Sequence, residues 1–154
     1  MHGYASILVP VDFSPSSVAA VHHGKLLATT FGAELELMHV WVPPRYVAYD
    51  IPMTGSGDEA STLQDAAERF ARGELEKLAN ELELGDDVVR SVRTGPIAKV
   101  IVDRAREAET SLICMGTRGY GALDRTVMGS VATRVAQLAD CPVLVVHGDD
   151  APAS

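Results

Sequence analysis

Three short runs of this chain are apolar at every position: Ile7-Leu8-Val9-Pro10-Val11, Leu112-Ile113-Cys114-Met115 and Val143-Leu144-Val145-Val146. A strand with one wet face alternates polar and apolar residues. An unbroken run this short and this rich in β-branched residues reads instead as a strand covered on both faces, as in a parallel sheet between helices. Parallel neighbours cannot be joined by a hairpin. They need crossovers, and the intervening sequence must supply them.

It does so with regular punctuation. Ser14-Pro15 suits an N-cap and first turn, opening a helix that turns Val18, Val21, Leu26 and Leu27 inward and stops at Gly32. Residues 34–40 alternate, which predicts a half-covered strand. The stretch VPPRYVAYDIPMTGSG over 42–57 has too much Pro and Gly for a regular element. Loops of that length are commonly mobile or functional. From about Asp58 a helix is predicted, with Leu63, Ala67, Phe70, Leu75, Leu78 and Leu82 along one side and a close at Gly85. A short alternating strand follows over 88–93. Pro96 then starts a helix through Ile97, Val100 and Ile101 to about Ala108, and a last helix runs from Ser130 to Ala139. The order βαβαβαβαβ, without repeat or break, predicts one α/β domain over 1–148 with a frayed tail over 149–154. The two alternating strands are expected on the more exposed side of the sheet and the last strand at the opposite edge. An uncovered apolar edge invites association, so a homodimer through Val143–Val146 is expected.

A chain of 154 residues with 47% hydrophobic and 22% charged residues can bury a core and has no disordered character. Its net charge of −8 argues against nucleic acid and anionic membranes as partners. No apolar run approaches the ~18 residues of a membrane span, and the N-terminal run lacks the basic lead of a signal peptide. A cytoplasmic protein is expected. Cys114 and Cys141 sit in apolar surroundings without ligand spacing and read as two buried, reduced thiols. The five histidines, His2, His22, His23, His39 and His147, show no metal-ligand pattern, and no GxSxG elbow is present. No metal site and no catalytic residue is assigned.

The chemistry concentrates in MGTRGYGALDRTVMGSVATRV, residues 115–135. Gly116, Gly119 and Gly129-Ser130 form G-x2-G-x9-G-S, which is neither GxxxxGK[ST] nor GxGxxG. Glycines here can let backbone N–H groups approach phosphate, and Ser130 stands where a helix N-terminus favours an anion. Arg118, Arg125 and Arg134 stand against Asp124 alone, a basic exception in an acidic chain. A connector that merely turns a corner is the alternative, but placement after a buried strand and before a helix favours binding. Gly121 lies outside the spacing and serves the turn. In a doubly wound sheet, residues just past strand one (Asp12, Phe13) and just past strand four (from Gly116) share one crevice. Asp12 also suits a local turn acceptor ahead of Ser14-Pro15. Tyr46 and Tyr49 can either lid such a crevice or lie in solvent.

ILVPVDFSPSS, LMHV and MGTRGYGALDRTVMGSVATRVAQLADCPVLVV resemble the universal stress protein family, and in particular its ATP-binding branch with G-x2-G-x9-G-[ST]. The resemblance runs over residues 6–146. It implies a three-layer, open, five-stranded parallel sheet of order 3-2-1-4-5, Rossmann-like in the adenine-nucleotide alpha-hydrolase manner. It further implies a homodimer through the last strand, with a higher oligomer left open, and bound ATP in many members, with or without Mg²⁺. Carried over by position, Asp12 would contact ribose or adenine with Pro10 and Val11 lining that side. Val40 would meet adenine through its backbone, and Met115 and Gly116 would flank the ribose. Arg118 and Gly119 would face the phosphates, and Gly129, Ser130 and Val131 would hold phosphate through main chain and hydroxyl.

Three functions stand open: a nucleotide-holding sensor or regulator, whose role in stress response is what the resemblance alone implies, a slow ATPase or phosphotransferase, and a nucleotide-free dimeric adaptor. Phosphoryl transfer needs metal-holding carboxylates. Near the motif the sequence offers Asp12 and Asp124 and no Lys after Lys99, which favours binding over catalysis.

Overall fold

The computed structural model describes residues 3–45, 52–53, 61–118 and 127–148, with the backbone alone for 52, 53 and 61. Five parallel strands, β1 (Ser6–Pro10), β2 (Glu34–Trp41), β5 (Val89–Thr94), β6 (Leu112–Gly116) and β7 (Val143–Val146), form a sheet of order β5-β2-β1-β6-β7. This is the 3-2-1-4-5 order of the sequence reading. A two-residue antiparallel pair, β3 (Pro52–Met53) and β4 (Ser61–Thr62), lies in the stretch between β2 and the next helix. The rest of the 42–57 loop beyond residue 45, Tyr46 and Tyr49 with it, falls outside the described residues.

Helices cover both faces: α1 (Pro15–Phe31), α2 (Leu63–Glu81), α3 (Ile97–Glu107) and α4 (Ser130–Leu138). Ile7, Val9 and Val11 of the first run pack with α1 and α2, while Leu8 packs with α3 and α4. None of these is more than 3% exposed, which is what the unbroken apolar run required.

Two helix ends differ from the expectation. α2 stops at Glu81, not Gly85. Leu84 N–H bonds Ala79 O at 2.9 Å and Glu83 N–H bonds Asn80 O at 3.1 Å, closing the helix in a Schellman wrap. Glu83 takes the left-handed φ of 51° that glycine usually supplies, and burial of Leu84 in the core holds it there. Glu109, at φ 49°, ends α3 the same way. The start moves too: α2 opens at Leu63, where Thr62 and Asp65 form a reciprocal capping box. In α1 the Ser14 cap and Gly32 stop stand as read, but Leu26 is 49% exposed. Val18, Val21 and Leu27 do pack on the core, and the rest of the buried face is Ser17, Ala20, Gly24 and Ala28, small residues that let the helix lie close on β1. A Cβ at Gly24 would come within 2.7 Å of Val9 Cγ2.

The alternation in 34–40 also misled. β2 is an inner strand, and Glu36 is buried. Arg104 of α3 donates from Nε and Nη2 to its two carboxylate oxygens at 2.8 to 3.1 Å, and Ser91 Oγ adds a bond of 2.7 Å. A paired carboxylate can occupy a core position that a binary pattern assigns to solvent. Of the two thiols, Cys114 is buried and Cys141 only half-buried. Among the described residues no helix is long and apolar enough to cross a membrane.

Candidate functional site

A cavity of about 500 Å³ opens beyond the carboxyl ends of β1, β2 and β6, at the point where strand order reverses. Pro10, Val11, Asp12, Val40, Met115, Gly116, Arg118, Gly129, Ser130 and Val131 all line it. Gly119, Gly121, Asp124 and Arg125 lie outside the described residues. Arg134 stands exposed on α4 and does not line the cavity. Also on the wall, and not foreseen from sequence, are Met38, Ile97, Ile101, Thr117 and Ala132. Strand periodicity could have found two of them. Met38 shares a face with Val40, and Thr117 with Met115.

The wall has two characters. Met38, Val40, Ile97, Ile101 and Met115 make one side apolar. The other side holds Asp12, Arg118 and the start of α4. Gly129 caps α4 without a side-chain bond, and among the described residues no side chain caps its first-turn N–H groups.

The segment 116–118 is fixed from three directions. Thr117 N–H donates to Val146 O of β7 at 2.9 Å, Gly129 N–H donates to Thr117 O at 2.7 Å, and Ser16 Oγ donates to Arg118 O. Gly116 and Gly129 make this clasp possible. A Cβ at Gly116 would lie 2.5 Å from Ser16 Oγ, and one at Gly129 would lie 2.8 Å from Thr117 O. Both glycines are therefore required by close backbone approach within the protein.

Asp12 is the local turn acceptor considered for it, and it also stands on the cavity wall. Its Oδ1 accepts from Ser14 N–H at 3.0 Å and from the Ser14 hydroxyl, a local turn, while the exposed residue also lines the cavity. Its neighbour Phe13 holds φ at 65°, a strained value for a bulky residue. Two contacts hold the turn. The Phe13 ring lies 5.0 Å from the ring of His39, and His39 Nδ1–H donates to Val11 O at 2.7 Å. Strain beside a cavity-lining carboxylate is typical of a site that must aim a group. Cys114, by contrast, has no chemical part. Its Sγ donates to Ala20 O at 3.3 Å, and burial pushes the thiol up to about 12.

The arrangement has relatives. Residues 3–147 match the model of the universal stress protein family. The chain belongs to this family. Its universal stress protein relatives include one from Mycolicibacterium smegmatis, 34% identical over 96% of this chain and 49% of that protein. Another, from Methanocaldococcus jannaschii, is 35% identical over 93% of the chain and 82% of its own length. The chain thus spans about half of the mycobacterial relative and most of the archaeal one. Among solved structures, that of a second Methanocaldococcus jannaschii universal stress protein superposes with TM-score 0.74 at 25% identity, over 95% of this chain and 97% of that one. A universal stress protein crystallised in complex with cAMP shares the fold at TM-score 0.66 and 22% identity, over 96% and 100%.

Proposed function

We propose that this universal stress protein holds ATP in the β1/β6 cavity and acts as a nucleotide-holding sensor or regulator in the cytoplasm, as a homodimer joined along β7. The observation that carries the reading is the two-sided wall: an apolar slot against a carboxylate, an arginine and an uncapped helix start, in one cavity of about 500 Å³. That volume is within the ~300–1,000 Å³ of small-molecule sites.

The donor set fits an adenine nucleotide. The slot suits a flat base, with Val40 at its rim. Asp12 offers a carboxylate to ribose hydroxyls beside Met115 and Gly116. Arg118 and the first turn of α4 at Gly129, Ser130 and Val131 offer positive charge and N–H groups to phosphate. Mg²⁺, when bound, would be carried by the phosphates and would neutralise their charge. Asp12 is the one carboxylate among the described lining residues, and Ser14 engages one of its oxygens, so the site is better equipped to hold phosphates than to transfer them.

The test is to purify the protein without added nucleotide, denature it, and identify what is released by chromatography and mass spectrometry, alongside calorimetric titration with ATP. Adenine nucleotide released at one per chain, or saturable ATP binding, supports the reading. Neither release nor binding overturns it in favour of a nucleotide-free adaptor. Sustained ADP production from added ATP would replace the sensor with an enzyme.

A further inference from the structure

Thr117 is 3% exposed, and its Oγ1 has no hydrogen-bond partner among the described residues. Its backbone, by contrast, is fully used, N–H by Val146 and C=O by Gly129. Buried hydroxyls ordinarily find a partner in the protein, because an unmade bond leaves the full desolvation penalty standing. The neighbouring serines show how this region normally behaves: the hydroxyls of Ser14, Ser16 and Ser17, all buried, each bond a neighbour. Thr117 is the exception, and it is the one that lines the cavity.

Its position decides what could relieve it. β6 alternates, sending Cys114 toward α1 and Ile113 and Met115 toward α3 and α4. The same period turns Thr117 to the Met115 side, onto the cavity wall. The Gly129 N–H bond to Thr117 O, at 2.7 Å, ties that residue to the start of α4. An orphan hydroxyl and a helix start that Gly129 caps without a side-chain bond thus meet at one end of the cavity. A staggered step about χ1 exchanges Oγ1 with the methyl group, so the hydroxyl can be presented without backbone movement.

We propose that Thr117 donates its hydroxyl hydrogen to a phosphate oxygen of the ligand, beside the first turn of α4. Thr117 is then a binding residue as well as a spacer between Gly116 and Arg118. The assignment rests on the nucleotide reading above and goes beyond it, because it gives a specific side chain to the phosphate end. It also has a stability signature: the hydroxyl is a burden in the ligand-free protein and an asset in the complex.

The experiment compares wild type, Thr117→Val and Thr117→Ser by calorimetric titration with ATP and with adenosine, together with thermal unfolding of each ligand-free protein. Thr117→Val is expected to weaken ATP by about tenfold, the scale of one hydrogen bond to a charged group. It should leave adenosine affinity unchanged and the ligand-free midpoint equal or higher. Thr117→Ser should stay within about twofold of wild type for ATP. ATP affinity in Thr117→Val equal to wild type overturns the assignment while leaving the nucleotide reading intact. An equal loss for adenosine also overturns it, since the hydroxyl would then serve the nucleoside. A ligand-free midpoint that falls with affinity makes Thr117 a packing residue and overturns it too. Wild type that binds no ATP overturns both readings together.

Discussion

Ser16 occupies the space that a side chain on Gly116 would need. A Cβ there would stand 2.5 Å from Ser16 Oγ, 2.7 Å from the Ser16 carbonyl carbon and 2.8 Å from Ser17 N. Two of those three atoms are backbone, so no rotamer change relieves the overlap. The start of α1 and the end of β6 would have to part, and with them the Ser16 bond to Arg118 O. Gly116→Ala is therefore expected to cost roughly 1–3 kcal/mol, the range of overpacking in a tight interior. Urea unfolding would show this as a lower midpoint at unchanged slope. An unchanged midpoint would mean that α1 yields freely, and that the glycine is there for a ligand alone.

That relationship marks how far the sequence could be read. The parallel sheet was legible because Ile7 to Val9, Ile113 and Cys114 are apolar on both faces and had to be covered on both. The cavity was legible because strand order reverses between β1 and β6, and the glycine-rich segment follows β6. What stayed hidden were pairings that join distant residues. Nothing near Glu36 in the chain announces Arg104, 68 positions away, so a buried ion pair looked like a wet strand face. Glu83 does a glycine's work at a helix end because Leu84 is anchored in the core, a fact of packing rather than of local preference. Thr117 directly follows the first glycine of the motif, yet its hydroxyl's lack of a partner among the described residues exists only in three dimensions.

The Glu36–Arg104 pair supplies a second expectation. Their side chains are 11% and 24% exposed, and Arg104 grips the carboxylate with two nitrogens, a contact that also raises the Arg104 guanidinium above its ordinary value. Arg104→Met would leave the carboxylate buried with Ser91 alone. Breaking a buried pair from one side costs about 3–5 kcal/mol, and partial exposure of Arg104 points to the lower end. Adding Glu36→Leu removes the stranded charge, so the double variant should recover most of the loss. A double-mutant cycle in urea checks this. Additive losses would show that the pair does not couple.

Cys114 gives a pH dependence with a definite sign. Burial pushes its thiol from 9.0 up to about 12, so the folded protein keeps a proton that the unfolded chain gives up earlier. Where the unfolded state binds fewer protons, stability falls as pH rises. This contribution is intact below the unfolded value and is lost as pH climbs from 9.0 toward 12. Cys114→Ala should flatten that decline when unfolding is compared at about pH 8 and about pH 10. In the native wild type, a thiol reagent at neutral pH should leave Cys114 unmodified until denaturant is added. Rapid native labelling of Cys114 would contradict its placement.

The last expectation concerns β7. It closes the sheet beside β6, and its other side meets no further strand among the described residues. Leu144 is 37% exposed there, with Val143 and Val145 half-buried. Natural sheets protect such an edge with charge, proline or a covering element, and VLVV contains none of the residues that would do so. A second copy of the same strand can cover it, because a two-fold axis lets one apolar edge meet its own copy. Light scattering after size exclusion should then give twice 16.4 kDa for the wild type. Leu144→Lys places a charge that pairing would have to desolvate, and should shift the protein toward the single-chain mass. Its fold should persist, since the lysine of an unpaired edge stays in water. A wild type that elutes at the single-chain mass at all concentrations, or a Leu144→Lys variant that dimerises as tightly, would place the contact elsewhere or abolish it.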